Sequence, residues 1–186
     1  MKRLQIKILI FLLTVVGLAQ IPVQPKISAE KVRQSIEEFT GNNVPVEWKT
    51  VNLPDKSDFK KKFKIYTSDF PKVLHYGVFH YQNEEVYVIP AQVKGKTLPF
   101  SFLLYLSKKD LTILYVDVVE YRESHGDEID MTVFKKQFQG KKNSKDIRYR
   151  RTIKSITGAT ISSRAITLAI GDLMLVVEKL RSSHLL

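Results

Sequence analysis

Apolar positions near the start of the chain recur with helical spacing. Ser28 is a suitable N-cap, and Gly41 is a suitable stop, so the sequence predicts a helix over residues 29–39. The predicted apolar stripe, spaced by four and three residues, consists of Val32, Ile36 and Phe39.

The pattern changes to short β-rich runs after residue 72. Turn sequences such as Gln82-Asn83-Glu84 and Gly95-Lys96 separate the runs, and no helical pattern lies between them. Spacing this tight favours antiparallel pairing. The predicted strands are 73–81, 85–93, 101–107 and 111–121. The expected core residues on them are Phe79, Tyr81, Val86, Val88, Phe100, Phe102, Leu104, Leu114, Val116 and Val118.

Helical periodicity returns towards the end of the chain. A short helix is expected over residues 131–138, a basic loop over 141–154, and a long helix from about Ser162 to Leu180. The predicted buried stripe of the long helix is Ile166, Ala169, Ile170, Leu173, Val177 and Leu180. Strands in the middle with helices at both ends predict an α+β fold, with an antiparallel-rich sheet flanked by helices.

The first 19 residues have the pattern of an export signal. Lys2, Arg3 and Lys7 precede an apolar run over residues 8–16. Small residues follow, so we expect cleavage after Ala19. The run is shorter than the roughly 20 residues that span a bilayer, although an uncleaved segment would still tether the chain. Both outcomes predict an extracytoplasmic location, in the periplasm or at the cell surface.

The remaining length is enough for one domain of ordinary size. The predicted parts are a signal peptide or anchor (1–19), a linker (20–29), an N-terminal helix with a polar segment (30–70), and the main domain (71–183).

Composition excludes several kinds of chemistry. The chain has no cysteine, so disulfides, thiolate metal sites and a cysteine nucleophile are excluded, and redox chemistry would need an organic cofactor. His75 and His80 are five residues apart on one predicted strand and face opposite sides, so no metal site is predicted. No Gly-x-Ser-x-Gly motif occurs, and no catalytic residue is assigned.

The formal net charge of +11 favours anionic partners. The simplest interpretation is a solvated basic surface. Docking to acidic redox proteins or to anionic lipid also fits. Loop 141–154 with Tyr149 would suit nucleic acid, but an export signal argues against that partner.

The junction Thr157-Gly158-Ala159-Thr160 leads directly into the long helix. The first amides of a helix have no internal partners, and the helix dipole favours an anion beside them. Gly158 permits a sharp turn or a close approach, and the hydroxyls of Thr160, Ser162 and Ser163 would surround the same amides. From the residues alone, helix capping by a hydroxyl remains the alternative to a phosphate site.

Residues 155–167 (SITGATISSRAIT) resemble the attachment segment of the FMN-binding domain family. This family includes small flavin subunits of the sodium-pumping NADH:quinone reductase and of Rnf-type complexes. In the family, a flavin transferase esterifies a threonine with FMN taken from FAD. The resemblance implies a phosphoester between FMN and Thr160, with a phosphate cradle at Thr157, Gly158, Ala159, Ser162 and Ser163.

A second segment is similar to the same family. Residues 118–129 (VVEYRESHGDEI) match a strand that ends in an Arg-Glu-x-x-Gly type loop, and residues 137–141 (QFQGK) match the end of a short helix. The resemblance implies that Glu123, with Asp127 and Glu128, lies near the flavin ring. The alternative is an acidic turn in which Gly126 provides a positive φ angle.

One residue departs from the family pattern. The family has Asp six residues before the attachment threonine, at a position that the transferase recognises, and this chain has Lys154. The resemblance implies an exported electron carrier whose partners are a flavin transferase, redox proteins or a membrane electron-transport chain, and the membrane surface. The alternative hypothesis is a non-flavinylated binding module of the same fold that uses its basic surface.

Overall fold

The structure, a computed structural model, describes residues 27–54 and 72–186. The predicted signal segment and most of the predicted polar segment lie outside the described residues. The main elements are α1 (Ala29–Thr40), β1 (Glu47–Asn52), β2 (Val73–Tyr81), β3 (Glu84–Lys94), β4 (Pro99–Ser107), β5 (Ile113–Glu120), α2 (Thr132–Lys135) and α3 (Thr160–Ser182). Single 3-10 turns lie at Asp127–Asp130 and Ser144–Asp146.

The five strands form one antiparallel sheet in the order β1-β2-β3-β4-β5. Each strand pairs with the next strand in the chain, so short turns suffice as connections. The predicted α+β fold, with helices around an antiparallel sheet, is confirmed. Strand β1 was not predicted, because most of its residues are exposed and polar and carry no apolar alternation.

Helices cover both faces of the sheet. The buried face of α1 packs with Phe79, Val88 and Leu103 on one side. The apolar side of α3 packs on the other side, together with Phe102 and Leu104. Eight of the nine residues of β4 are therefore buried, which explains why its sequence is almost continuously apolar. Among the predicted core residues, Tyr81 and Leu114 are only partly buried.

The predicted ends of α1 are confirmed. The Ser28 hydroxyl accepts a hydrogen bond from the Lys31 amide at 3.3 Å, and Gly41 ends the helix with φ of 75°. Gly41 donates its amide to the Glu37 carbonyl, which closes the last turn.

The predicted helix over residues 131–138 is shorter in the structure. Helix α2 ends at Lys135, and turns continue to Gly140. Phe134 and Phe138 are fully buried and anchor this segment on the core. The Gly140 amide then donates to the Ile113 carbonyl at 2.9 Å, so the chain turns back beside β5 instead of extending the helix.

Helix α3 begins at Thr160, two residues before the predicted start, and its predicted buried stripe is confirmed. Its mean hydropathy of 1.5 and its length would suit a membrane span. However, 67% of its most apolar window is buried inside the domain, as in a core helix.

Two isoleucines of α3 test how strongly this helix depends on packing. Ile170 is fully buried, whereas Ile161 is 50% exposed. We expect Ile170→Ala to lower the free energy of unfolding by about 2–4 kcal/mol, because it leaves a cavity under the sheet. Ile161→Ala, the matched control, should change it by less than about 0.5 kcal/mol. Urea unfolding measures both, and equal losses would contradict the assigned orientation of α3.

Candidate functional site

The first turn of α3 begins without a side-chain cap. The N-cap residue is Ala159, which is almost fully buried and has no hydroxyl. The preceding Gly158 has φ of 89°, a conformation that favours glycine. The alternative that a serine or threonine hydroxyl caps this helix is therefore wrong.

Three amides at the start of α3 have no acceptor within residues 27–54 and 72–186. They belong to Thr160, Ile161 and Ser162. The first bond of the helix runs from the Ser163 amide to the Ala159 carbonyl at 2.8 Å. Free amides and the positive end of a helix dipole together favour a bound anion.

The hydroxyls of the predicted cradle point in different directions. The Ser163 hydroxyl donates to the Ala159 carbonyl at 2.7 Å and is buried. Buried Ser162 lies 2.8 Å from the Tyr121 hydroxyl oxygen. Thr157 and Thr160 are exposed. A phosphate at this turn would therefore meet the amides and Thr160 first, and contacts from the two serines stay a prediction.

Tyr121 connects the loop after β5 to α3. Its hydroxyl donates to the His125 carbonyl at 2.8 Å and contacts the Ser162 hydroxyl. Gly126 has φ of 98°, as the alternative of an acidic turn requires, and a Cβ there would lie 2.4 Å from the Tyr121 hydroxyl oxygen. Only glycine allows this loop to pack so closely on the first turn of α3. Burial raises the pKa of Tyr121, so its hydroxyl keeps its proton.

Glu123 holds the turn between β3 and β4. Its carboxylate accepts hydrogen bonds from the Thr97 and Leu98 amides at 2.6 Å and 2.7 Å. These backbone bonds hold the pKa of Glu123 below its usual value. A Glu123 carboxylate oxygen also lies 3.5 Å from the Tyr121 hydroxyl oxygen. The same hydroxyl contacts Ser162, so Tyr121 links Glu123 to the first turn of α3. Its predicted position near a flavin ring stays a prediction.

Glu128 lies against the turn before α3. A Cβ placed on Gly158 would be only 1.9 Å from the Glu128 Oε1 atom, so the carboxylate occupies the space that a side chain would fill. The Glu128 Oε2 atom is buried and has no hydrogen-bond partner in the described part of the chain. Neighbouring Asp127 is exposed. Glu128 belongs to the predicted acidic loop, but no sequence pattern indicated its contact with Gly158.

Two further residues position the segment before α3, and no sequence pattern assigned this role to either of them. The Tyr149 hydroxyl donates to the Thr160 carbonyl at 3.1 Å, and the Arg150 guanidinium lies 5.5 Å from the centre of the Tyr149 ring. The side chain of Gln137 accepts from the Lys154 amide at 2.7 Å and donates to its carbonyl at 3.2 Å. The backbone of Lys154 is therefore fixed, while its side chain is exposed.

Comparison with known families identifies the segment that contains these residues. Residues 95–174 match the model of the FMN-binding domain. This part of the chain is similar to an FMN-binding domain. The match runs from the β3–β4 turn into α3, so it includes Glu123, Glu128 and Thr160. The resemblance seen in the sequence is thereby confirmed, and FMN is supported as the cofactor.

A solved structure supports the fold of the FMN-binding domain. One subunit of the Na(+)-translocating NADH-quinone reductase from Parabacteroides distasonis is similar with a TM-score of 0.52 and 17% sequence identity. The similarity covers 78% of this chain and 80% of that chain. Among curated proteins, none matches this sequence.

The bonds of Glu123 predict a pH-dependent contribution to stability. The folded-state pKa of this carboxyl is lowered by the Thr97 and Leu98 amides, so its contribution is present above the unfolded pKa of about 4.3 and is lost as the pH falls through the folded value. We expect Glu123→Gln to be less stable than the wild type at pH 7, with a gap that narrows towards pH 3. Denaturant midpoints at both pH values measure the gap.

The control for this experiment is Glu47→Gln, which changes an exposed carboxylate paired with Lys49. Such surface pairs contribute little, so this variant should show a smaller difference at pH 7. A gap for Glu123→Gln that is the same at pH 7 and pH 3 would contradict the role of its charge in holding the turn.

Proposed function

We propose that the protein is an exported electron carrier with FMN joined by a phosphoester to Thr160. The observation that carries this proposal is the position of Thr160. Its side chain is exposed at the first residue of α3, beside three amides without an acceptor in the described ranges. A phosphate bonded to the Thr160 oxygen would lie at the positive end of the helix.

The residues at this turn suit a phosphate in two ways. The free amides can donate to its oxygens, and Gly158, with φ of 89°, forms the sharp turn that leads into them. Tyr149 and Gln137 fix the chain on both sides of the turn, through Thr160 and Lys154. The attachment threonine is therefore presented on a rigid segment, which suits modification by a separate enzyme.

The attachment reaction balances with FAD as the donor. The Thr160 oxygen forms a bond to the phosphorus of the FMN half, the pyrophosphate bond of FAD breaks, AMP leaves, and the hydroxyl proton is released. The product gains the mass of FMN less water. The reaction needs a flavin transferase as a partner, as the resemblance to the FMN-binding domain family implies.

Electron transfer follows from the chemistry of the cofactor. Bound flavin accepts and donates electrons, while the protein supplies attachment, orientation and shielding. The similar protein from P. distasonis is a subunit of an NADH-quinone reductase, which supports redox proteins or a membrane electron-transport chain as partners. The basic N-terminal signal pattern supports an extracytoplasmic location, where a covalent bond prevents loss of FMN.

A non-flavinylated binding module is the second candidate. Lys154 favours it, because this exposed lysine stands where the family has an aspartate that the transferase recognises. In this case the same fold would use its basic surface to bind an acidic partner or anionic lipid.

The attachment residue is tested by intact mass after co-expression with a flavin transferase in the extracytoplasmic compartment. We expect the wild type to gain one FMN less water and Thr160→Ala to gain nothing, because the acceptor oxygen is missing. Thr157→Ala removes the other exposed threonine of the segment and should still be modified. A colourless wild-type protein of unmodified mass would refute the carrier hypothesis, and a modified Thr160→Ala would refute the site.

The effect of Lys154 is tested by reversing its charge. We expect Lys154→Asp to raise the initial rate of flavinylation at least about tenfold, a change that corresponds to one favourable contact of about 1.4 kcal/mol with the transferase. Arg151→Asp makes the same charge change at another exposed position of the loop and should have little effect. Equal rates for the two variants would assign the effect to net charge and not to recognition of position 154.

A further inference from the structure

The turn before α3 brings free hydrogen-bond donors and a buried acceptor without a donor close together. The amides of Thr160, Ile161 and Ser162 have no acceptor in the ranges that the structure describes. At the same turn, the buried Oε2 atom of Glu128 has no donor there either. A buried polar atom without a partner lowers the stability of the fold, and a charged one lowers it more. The folded chain therefore retains an unfavourable arrangement at this turn.

The carboxylate of Glu128 is next to the position expected for a phosphate. Its Oε1 and Oε2 atoms would lie 1.9 Å and 3.0 Å from a Cβ on Gly158, so both contact the residue that shapes the turn. Thr160 follows two residues later. A phosphate on Thr160 that accepts from the first amides of α3 would bring a second anion to the same turn. Two anions at such a distance in a partly buried site repel each other.

The backbone that carries Glu128 is fixed, so only movement of its side chain can increase the distance between the carboxylate and a bound phosphate. Gly126 packs tightly against Tyr121 on one side, and Ile129 is fully buried on the other. The Glu128 carbonyl accepts from the Met131 amide at 3.1 Å. The flexible end of the side chain is what can turn away from Gly158.

We propose that Glu128 is an internal anion that opposes phosphate at the start of α3 and thereby limits flavin attachment at Thr160. The inference rests on the proposed function, and it adds a specificity-determining residue to that site. The carboxylate shields the turn in the unmodified protein and must swing aside when the phosphate is bound. Other acidic groups of the loop do not have this role, because Asp127 is exposed and Glu123 is bonded to the Thr97 and Leu98 amides.

The test compares Glu128→Gln with the control Asp127→Asn. Both variants remove one negative charge from adjacent residues, but only Glu128 contacts Gly158. The first measurement is the dissociation constant of inorganic phosphate for the full unmodified chain. Shifts of the amide NMR signals of Gly158, Thr160 and Ile161 during a phosphate titration report this binding. The second is the rate of flavinylation with a transferase and FAD, followed by intact mass. Both measurements are repeated on Glu128→Ala. If either Glu128 variant fails to fold, the remaining one still tests the inference.

We expect Glu128→Gln to bind phosphate about tenfold more tightly and to be flavinylated about tenfold faster, which corresponds to removal of one close like-charge interaction. Asp127→Asn should change both quantities by less than about twofold, as expected for an exposed charge that solvent screens. Glu128→Ala should change them in the same direction as Glu128→Gln.

The outcomes separate this inference from the proposed function. If the wild type and Glu128→Gln are modified at the same rate and bind phosphate equally, the carrier hypothesis stands and the inference is overturned. If phosphate binding rises in Glu128→Gln but no variant is flavinylated, the opposition between Glu128 and phosphate stands, and the carrier hypothesis falls together with any limit on flavin attachment. Weaker phosphate binding in both Glu128 variants would show that the carboxylate assists the anion, which also overturns the inference.

Discussion

Packing of α3 against the sheet is the constraint on which the candidate site depends. The helix is buried along one side from Ser162 to Leu180, so its position is set by contacts far from the site. Because those contacts hold the helix, its first turn can leave three amides without an acceptor in the described chain and still be ordered. A short helix held only by its own hydrogen bonds would fray at such an end. The core thus maintains a turn that is locally unfavourable.

The unfavourable features are concentrated at one place. Ala159 provides no cap, Gly158 has a positive φ, and the Glu128 carboxylate is partly buried, with one oxygen that has no donor among the described residues. Each feature alone would be a small defect in a surface loop. Together they form an arrangement that an anion at the amides and a displaced carboxylate would improve. Natural sequences violate local rules of this kind mainly at functional sites.

The sequence was sufficient where a local pattern determines structure. The caps of α1, four of the five strands and the buried stripe of α3 follow from residue spacing. It was insufficient where a contact joins distant residues. Ser162 and Ser163 were grouped with Thr160 by proximity in the chain, but α3 begins at Thr160, and its helical phase turns both serines inward. The contact between Glu128 and Gly158 joins residues 30 positions apart in the chain, so the spacing of apolar residues within one element cannot predict it.

The two unusual charges near the turn act in different ways. Lys154 is exposed and positive, so its direct electrostatic effect on a nearby phosphate is favourable, although weak in solvent. Any inhibition of flavin attachment by Lys154 must therefore arise in contact with the transferase. Glu128 is negative and lies inside the turn, where screening is weaker, so its effect falls on the phosphate itself. The two proposals therefore assign recognition by the enzyme and occupancy of the turn to separate residues. On these proposals, flavin attachment would fail at either step without any change in the fold.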